Sequence, residues 1–324
     1  MITKYHKTHL YFEEGINSGD GKPVYFTTDF GAKIGLLICF DIIFEQPLRQ
    51  LIYGEKVDAI AYSTWWVNYP PFWNGLQFQQ AVSYSYGIDL LAAGSGYTLL
   101  SSGSGIHLKG DSVGVYGTHR QGVTQIVKEQ VVSKRSLMQH SPIITDIKKY
   151  TSDDNSTSIQ LFIPEKGRSY NANVVAGSIV CNFAFTISPN SNITDNDPNN
   201  YFALVATDGK VFRPKFDQSS CTLMKCGSKS NCFTFIQWQL QISQSDVILS
   251  DLSIAMDRNK PQQTSTVDAF PMLVADGGKL YVDSIKESVK TNARADMPSS
   301  ETIFVKNENN PRGFLGATLL VLTK

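Results

Sequence analysis

The sequence predicts a layered α/β unit over residues 1–130 followed by an all-β unit over residues 158–324, and three observations carry that reading. Residues up to about 130 alternate continuous apolar runs with helical stretches, the pattern of strands covered by helices. From residue 158 onward, short β-rich runs are separated by clusters of Asn, Ser, Asp and Gly. Four of the five cysteines fall between residues 181 and 232, inside that second half. A chain of 324 residues suits about two domains at roughly 150 residues each. Residues 131–157 read as a polar connection between them, and no internal repeat is present.

In the first half, Val24 to Phe30 is strand-like and ends at a Gly31 turn. Lys33 to Phe40 is a nearly continuous apolar run, as in a strand buried on both faces. Pro47 then opens a helical stretch in which Leu48, Leu51 and Ile52 share a face, and Gly54 stops it. Val57 to Tyr62 is the next buried strand. After Pro70-Pro71, Phe72 to Gly87 reads as a helix with Phe78, Ala81, Val82 and Tyr86 along one stripe. Ile88 to Ala93 is a further short strand, ending in Gly94-Ser95-Gly96.

In the second half, Ser158–Ile163, Asn182–Ile187, Tyr201–Ala206 and Cys232–Ile242 read as strands, with hairpin-type turns at Asp208-Gly209 and Asp276-Gly277-Gly278. Gly313 to Leu322 reads as a last strand rather than a clipped anchor tail. Cys181, Cys221, Cys226 and Cys232 contain no C-x-x-C pair, which disfavours a zinc knuckle. They imply two disulfides, whose three pairings the spacing leaves open, and disulfides belong to an oxidising compartment. Two glycosylation sequons, at Asn155 and Asn192, agree with export. The polar, basic Met1–Lys7 stretch is not a signal peptide, so the expectation is an exported protein whose natural N-terminus is missing from this chain.

Lys+Arg and Asp+Glu are 29 each, so no basic excess steers the chain toward nucleic acid or an anionic membrane surface. Charged residues are only 18%, with Ser, Thr, Asn and Gln supplying the polar surface. An apolar fraction of 42% excludes a largely disordered chain, and no run approaches the roughly 18 apolar residues of a membrane span.

Cys39 stands at the end of the Lys33 to Phe40 run, where a thiol at a strand-to-turn junction can act as a nucleophile; a buried core cysteine is the alternative on spacing alone. Lys7, taken alone, is a surface lysine. His6 and His9 suggest a metal site only weakly, for no third ligand is in view. Gly94-x-Gly96 and Gly103-x-Gly105 lack the third glycine and the Lys-Ser/Thr of a phosphate loop. Trp65, Trp66, Tyr69, Phe72 and Trp73 crowd the region after a strand, either as core or as pocket wall.

Together these pieces resemble the vanin/biotinidase branch of the nitrilase (carbon–nitrogen hydrolase) superfamily. The segments that carry the likeness are Tyr5-His6-Lys7-Thr8-His9-Leu10-Tyr11-Phe12-Glu13-Glu14, Gly35-Leu36-Leu37-Ile38-Cys39-Phe40-Asp41-Ile42-Ile43-Phe44, Ser63-Thr64-Trp65-Trp66-Val67-Asn68 and Gly103-Ser104-Gly105-Ile106-His107. Cys221-Thr222-Leu223-Met224-Lys225-Cys226 is similar to a segment of the vanin C-terminal β-domain. The resemblance implies the C-terminal half of a nitrilase-type α-β-β-α sandwich over residues 1–130, a connection over 131–157, and a disulfide-containing vanin-type β-domain over 158–324.

It further implies an exported amidohydrolase that cleaves a linear vitamin amide through a cysteine thioester, with no metal or organic cofactor. Pantetheine, split to pantothenate and cysteamine, is the first substrate implied, and a biotin amide the second. Cys39 would be the nucleophile, and Lys7, with the Phe40 backbone N–H, would stabilise the oxyanion. Glu14, with Glu13 as alternative, would help position substrate; Phe40, Trp65 and Trp66 would border the pocket. Superfamily members often dimerise, so a homodimer is the partner implied beyond the small-molecule substrate; no nucleic acid is. The family's general base is a glutamate well before the lysine, yet only six residues precede Lys7 and none is Asp or Glu. The expectation is a nearly inactive, N-terminally incomplete chain, with a degenerate binding paralogue as the other reading.

Overall fold

The computed structural model describes residues 2–11, 15–66, 75–94, 103–116, 148–151, 156–195, 197, 200–211, 216–226, 246–258, 267–274, 300–306 and 316–323. They divide into two compact units, drawn from within residues 1–132 and 133–324.

The first unit is a six-stranded sheet in sequence order: β1 (Tyr25–Thr27), β2 (Lys33–Ile38), β3 (Ala59–Thr64), β4 (Asp89–Gly94), β5 (Ser104–Leu108) and β6 (Asp111–Tyr116). β2, β3 and β4 are parallel, and β1, β5 and β6 run antiparallel to their neighbours. Parallel neighbours need crossovers. The first contains α1 (Glu45–Arg49) and a π-turn at Gln50–Gly54; the second contains α2 (Gly75–Tyr86). Gln46 is still extended at ψ 130°, so helical backbone starts at Pro47, whose fixed φ suits a first turn.

One face of the sheet buries Leu37, Ile60, Tyr62, Leu90 and Ala92 together with Leu48, Leu51, Phe78, Ala81 and Val82. Each large apolar side chain so buried contributes about 1.5–3 kcal/mol. Tyr86, at the end of the expected α2 stripe, is only half-buried. Polar residues of α2 are buried as well, because the main chain of β5 and its flanks needs partners. Gln79 Nε2 donates to the Gly103 carbonyl (2.9 Å) and Gln80 Nε2 to the Gly110 carbonyl (3.0 Å), while Ser83 Oγ accepts from Gly110 N (2.9 Å). A Cβ on Gly94 would overlap the Gly103 carbonyl, and one on Gly105 would overlap the His107 ring. These glycines therefore have a packing reason. The opposite face carries half-buried Leu36, Ile38 and Ala61 beside exposed Leu108 and the exposed register partners Leu91 and Ile106.

The second unit consists of two antiparallel sheets. One has the order β15-β13-β10-β9, from Ser300–Lys306, Leu249–Arg258, Ile179–Ile187 and Ser169–Ala176. The other has the order β14-β16-β12-β11-β8-β7, from Val267–Val274, Gly316–Thr323, Phe216–Lys225, Phe202–Val211, Thr157–Phe162 and Lys148–Thr151. Alternation is strict in β10, where Ile179, Cys181, Phe183, Phe185 and Ile187 are buried. They share one core with Leu204, Cys221, Leu223, Ile254 and Leu319, so the two sheets stack face to face. A disulfide between Cys181 of β10 and Cys221 of β12 crosses that core.

The C-terminal run forms β16, paired on both sides by β12 and β14. Asp208-Gly209 is not a turn, contrary to expectation: both residues lie inside β11, opposite Ser219 and Gln218. The Asp208 carboxylate instead accepts from Ser178 N (2.7 Å), Ser178 Oγ (2.8 Å) and Ser219 Oγ (2.8 Å), closing the turn between β9 and β10. The runs Cys232–Ile242 and Asp276–Gly278 lie outside the described residues. Among the described residues no helix is long and apolar enough to cross a membrane.

Candidate active site

Cys39 follows β2 directly, at the carboxyl edge of the parallel strands, where open α/β sheets place ligands. Its φ is +49°, a left-handed conformation that strains any residue with a Cβ. It opens a tight 3-10 turn, Cys39–Ile43, whose other four residues are all buried. The buried residues anchor the turn and leave Cys39 half-exposed at its head. Its thiol is free, and Sγ lies 3.7 Å from the Trp65 carbonyl beyond β3. The Cys39 carbonyl accepts from Tyr62 Oη at 2.9 Å, and the Tyr62 phenol also lies 3.1 Å from Thr64 Oγ1. Burial, followed by the neighbouring Cys39 charge, pushes the Tyr62 phenol well above its ordinary value, so it remains a donor.

Lys7 lies in an irregular segment. Residues 2–10 join no ladder, so their amides need other acceptors. Asp41, the third residue of the Cys39–Ile43 turn, supplies one. Its carboxylate accepts from His9 N (2.6 Å), Thr8 N (3.4 Å) and Tyr5 Oη (2.7 Å). Asp41 is fully buried. Burial pushes its carboxyl up, opposed by the hydrogen bonds from Tyr5 and His9. The Tyr5 phenol is likewise raised, mainly by burial. The His9 ring stacks on Phe44 at 3.8 Å and its Nε2 meets the Gln46 carbonyl at 2.7 Å. Tyr11 packs edge-on against Phe40. The segment closes on itself where Gly19 N donates to the Lys7 carbonyl (2.7 Å).

The two tryptophans part company. Trp66 is buried and stacks on Phe78 of α2 at 5.0 Å, which is the core role. Trp65 is 63% exposed, and its carbonyl faces the Cys39 thiol. Phe40 is buried between Tyr11 and Phe44. Glu13, Glu14, Tyr69, Phe72 and Trp73 lie outside the described residues. Of the remaining candidates, Cys226 is disulfide-bonded and Asn192 is exposed between buried Ser191 and Ile193, whereas Cys232 and Asn155 lie outside the described residues. His9 is committed to Gln46 and Phe44, and among the described residues no group of three His, Cys, Asp or Glu is placed to hold a metal.

Sequence reasoning passed over Asp41, Tyr62 and Tyr5. Asp41 had a signal: a lone acid inside the apolar run Leu36 to Phe44 must be buried, and a buried acid needs donors. Nothing in the sequence names those donors, because two are backbone amides.

Two family models match the chain: the carbon–nitrogen hydrolase over residues 1–87 and the vanin C-terminal domain over residues 146–320. A vanin-like protein 1 of Drosophila melanogaster is 28% identical over 280 residues, 79% of this chain and 50% of that protein. A pantetheinase of Homo sapiens is 26% identical over 242 residues, 70% of this chain and 45% of that protein. A biotinidase of Rattus norvegicus is 38% identical over 94 residues, 29% of this chain and 18% of that protein. The chain spans about half the length of the curated relatives it matches most extensively.

Proposed function

Since the chain belongs to the vanin/biotinidase branch of the carbon–nitrogen hydrolase superfamily, we propose that it carries the nucleophile of an exported hydrolase of linear vitamin amides. The observation that supports this most is Cys39: a free, half-exposed thiol on a strained turn at the carboxyl edge of parallel strands. Its Sγ attacks the amide carbonyl, the amine leaves, and water hydrolyses the thioester. The Lys7 ammonium and the Phe40 backbone N–H stabilise the tetrahedral oxyanion. Trp65 is the exposed aromatic available to border the pocket, with Trp66 behind it in the core. Glu14, or Glu13, helps position the substrate.

The substrate is pantetheine, split to pantothenate and cysteamine. The pantetheinase likeness over 70% of the chain supports that choice. A biotin amide is the second reading, supported by the 38% identity of the shorter biotinidase match. The disulfide Cys181–Cys221, the bonded Cys226 and the exposed sequon residue Asn192 support an oxidising, glycosylating route to the cell exterior.

The chemistry also needs a base for the Cys39 proton. Asp41 is buried and already accepts three hydrogen bonds, so it is not that base. Because the chain spans about half the length of the curated relatives it matches most extensively, we expect weak turnover from residues 1–324 alone, and Cys39-dependent turnover when a glutamate-bearing N-terminal half is supplied as a fusion or separate fragment. The test measures thiol release from pantetheine and biotin release from biocytin side by side, with and without Cys39→Ala. Absence of Cys39-dependent release of either product from the completed protein would favour a degenerate binding protein.

A further inference from the structure

We propose that Asp41 is a positioning residue whose buried carboxylate fixes the segment carrying Lys7 against the turn carrying Cys39. The inference rests on the reading of Cys39 and Lys7 as reacting groups, and deepens it. Asp41 stands two residues beyond Cys39, inside a turn whose residues from Phe40 to Ile43 are buried and cannot drift. Its three hydrogen-bond donors bracket Lys7 on both sides: the Tyr5 phenol before it, and the Thr8 and His9 amides after it. Thr8 Oγ1 lies 3.3 Å from Tyr5 Oη, which ties the two sides of the bracket together. No β-ladder holds residues 2–10, so this carboxylate does for the segment what a neighbouring strand would otherwise do.

The aromatic contacts of His9 with Phe44 and of Tyr11 with Phe40 dock the same segment on the same turn, but they lie on one side of Lys7. Asp41 alone among these contacts reaches residues on either side. Its carboxylate is taken up by Tyr5, Thr8 and His9, and it acts by fixing where the ammonium can go.

The test uses the 324-residue chain and a short maleimide–succinimidyl ester reagent that bridges a thiol to an amine, with the bridged peptide quantified by mass spectrometry. Native protein is expected to give a Lys7–Cys39 bridge. Asp41→Asn keeps the size but presents N–H where acceptors are needed, and is expected to lower bridging about tenfold relative to alkylation of Cys39 by a one-ended maleimide. Tyr5→Phe removes one donor and is expected to fall between the two; it carries the test where Asp41→Asn fails to fold. Hydrogen exchange at the Thr8 and His9 amides should quicken in parallel. In the protein completed by an N-terminal half, Asp41→Asn should lower kcat with little change in KM, because the oxyanion exists only in the transition state. Undiminished bridging in folded Asp41→Asn or Tyr5→Phe overturns the proposal, as does native protein in which Lys7 and Cys39 each label singly but never bridge. Loss of turnover with bridging intact would count against the enzymatic reading and not against the clamp.

Discussion

The Tyr62 phenol, on β3, donates to the carbonyl of Cys39, in the turn after β2, at 2.9 Å. A residue with φ of +49° persists only where its surroundings over-determine it. Here a buried, protonated phenol on the adjacent strand holds the carbonyl from one side, while the buried turn holds the following peptide from the other.

Tyr62→Phe should therefore loosen the turn. It leaves a carbonyl without its donor and should cost about 1–3 kcal/mol of stability. The check is a melting curve paired with the rate of Cys39 alkylation. Unchanged stability together with unchanged alkylation would mean that the phenol is not what holds Cys39 in place.

Cys39→Ala should abolish amide hydrolysis in the completed protein. Lys7→Ala should lower kcat by about 10²–10³, the cost of one oxyanion-hole donor, with a much smaller change in KM. Steady-state assays of thiol release from pantetheine measure both. A Lys7→Ala variant that raised KM alone would place the ammonium on the substrate ground state instead.

Removing the bridge with Cys181→Ala and Cys221→Ala should destabilise the second unit. The two cysteines are 40 residues apart in sequence, and closing a loop of that length is worth about 4 kcal/mol in the chain-entropy account. Denaturant unfolding of the double variant, compared with Cys39→Ala as a cysteine-removal control, should show the loss in the double variant only.

His107 should make the first unit sensitive to acid. It is fully buried, with Nδ1 2.7 Å from Ser112 Oγ and Nε2 3.4 Å from Gln79 Oε1, and burial lowers its pKa from 6.5 to about 4. The folded state thus resists a proton that the unfolded chain accepts. Stability from this group is complete above 6.5 and is lost as pH falls toward about 4, by about 3 kcal/mol in all. Thermal melts across that window should show the decline, and His107→Gln should flatten it even if it melts lower at neutral pH. Equal melting temperatures at both ends of the window in the native protein would refute the assignment.

The strands and helices of the first unit up to β4 were legible because their apolar runs are set off by Gly or Pro with a local reason to sit there, whereas β5 and β6, at Ser104–Leu108 and Asp111–Tyr116, were not read as strands. Pro47 starts the helical backbone and Gly54 ends the π-turn, as the residues suggest. Cys39 was legible as a strand-end thiol. Its strain was not, since φ is set by the burial of Phe40 to Ile43 and not by the residue itself. Asp208-Gly209 misled because its turn chemistry is local, whereas Asp208 is held by Ser178 from another hairpin. The partners of Asp41 were invisible for the same reason: two of them are main-chain amides, which every residue but proline carries.

That last feature bears on how the segment can change over generations. A grip on peptide N–H groups does not read the side chain attached to them, and His6, between Tyr5 and Lys7, is exposed. A lineage could rewrite position 6, and with it the local charge of the segment, while the backbone around Lys7 stays where it is. Proline at position 8 or 9 is the exception, since it deletes a donor outright. Drift at position 6 is thus nearly free in composition and tightly bounded in backbone, whereas Tyr5, whose phenol is itself a donor to Asp41, is held by its side chain.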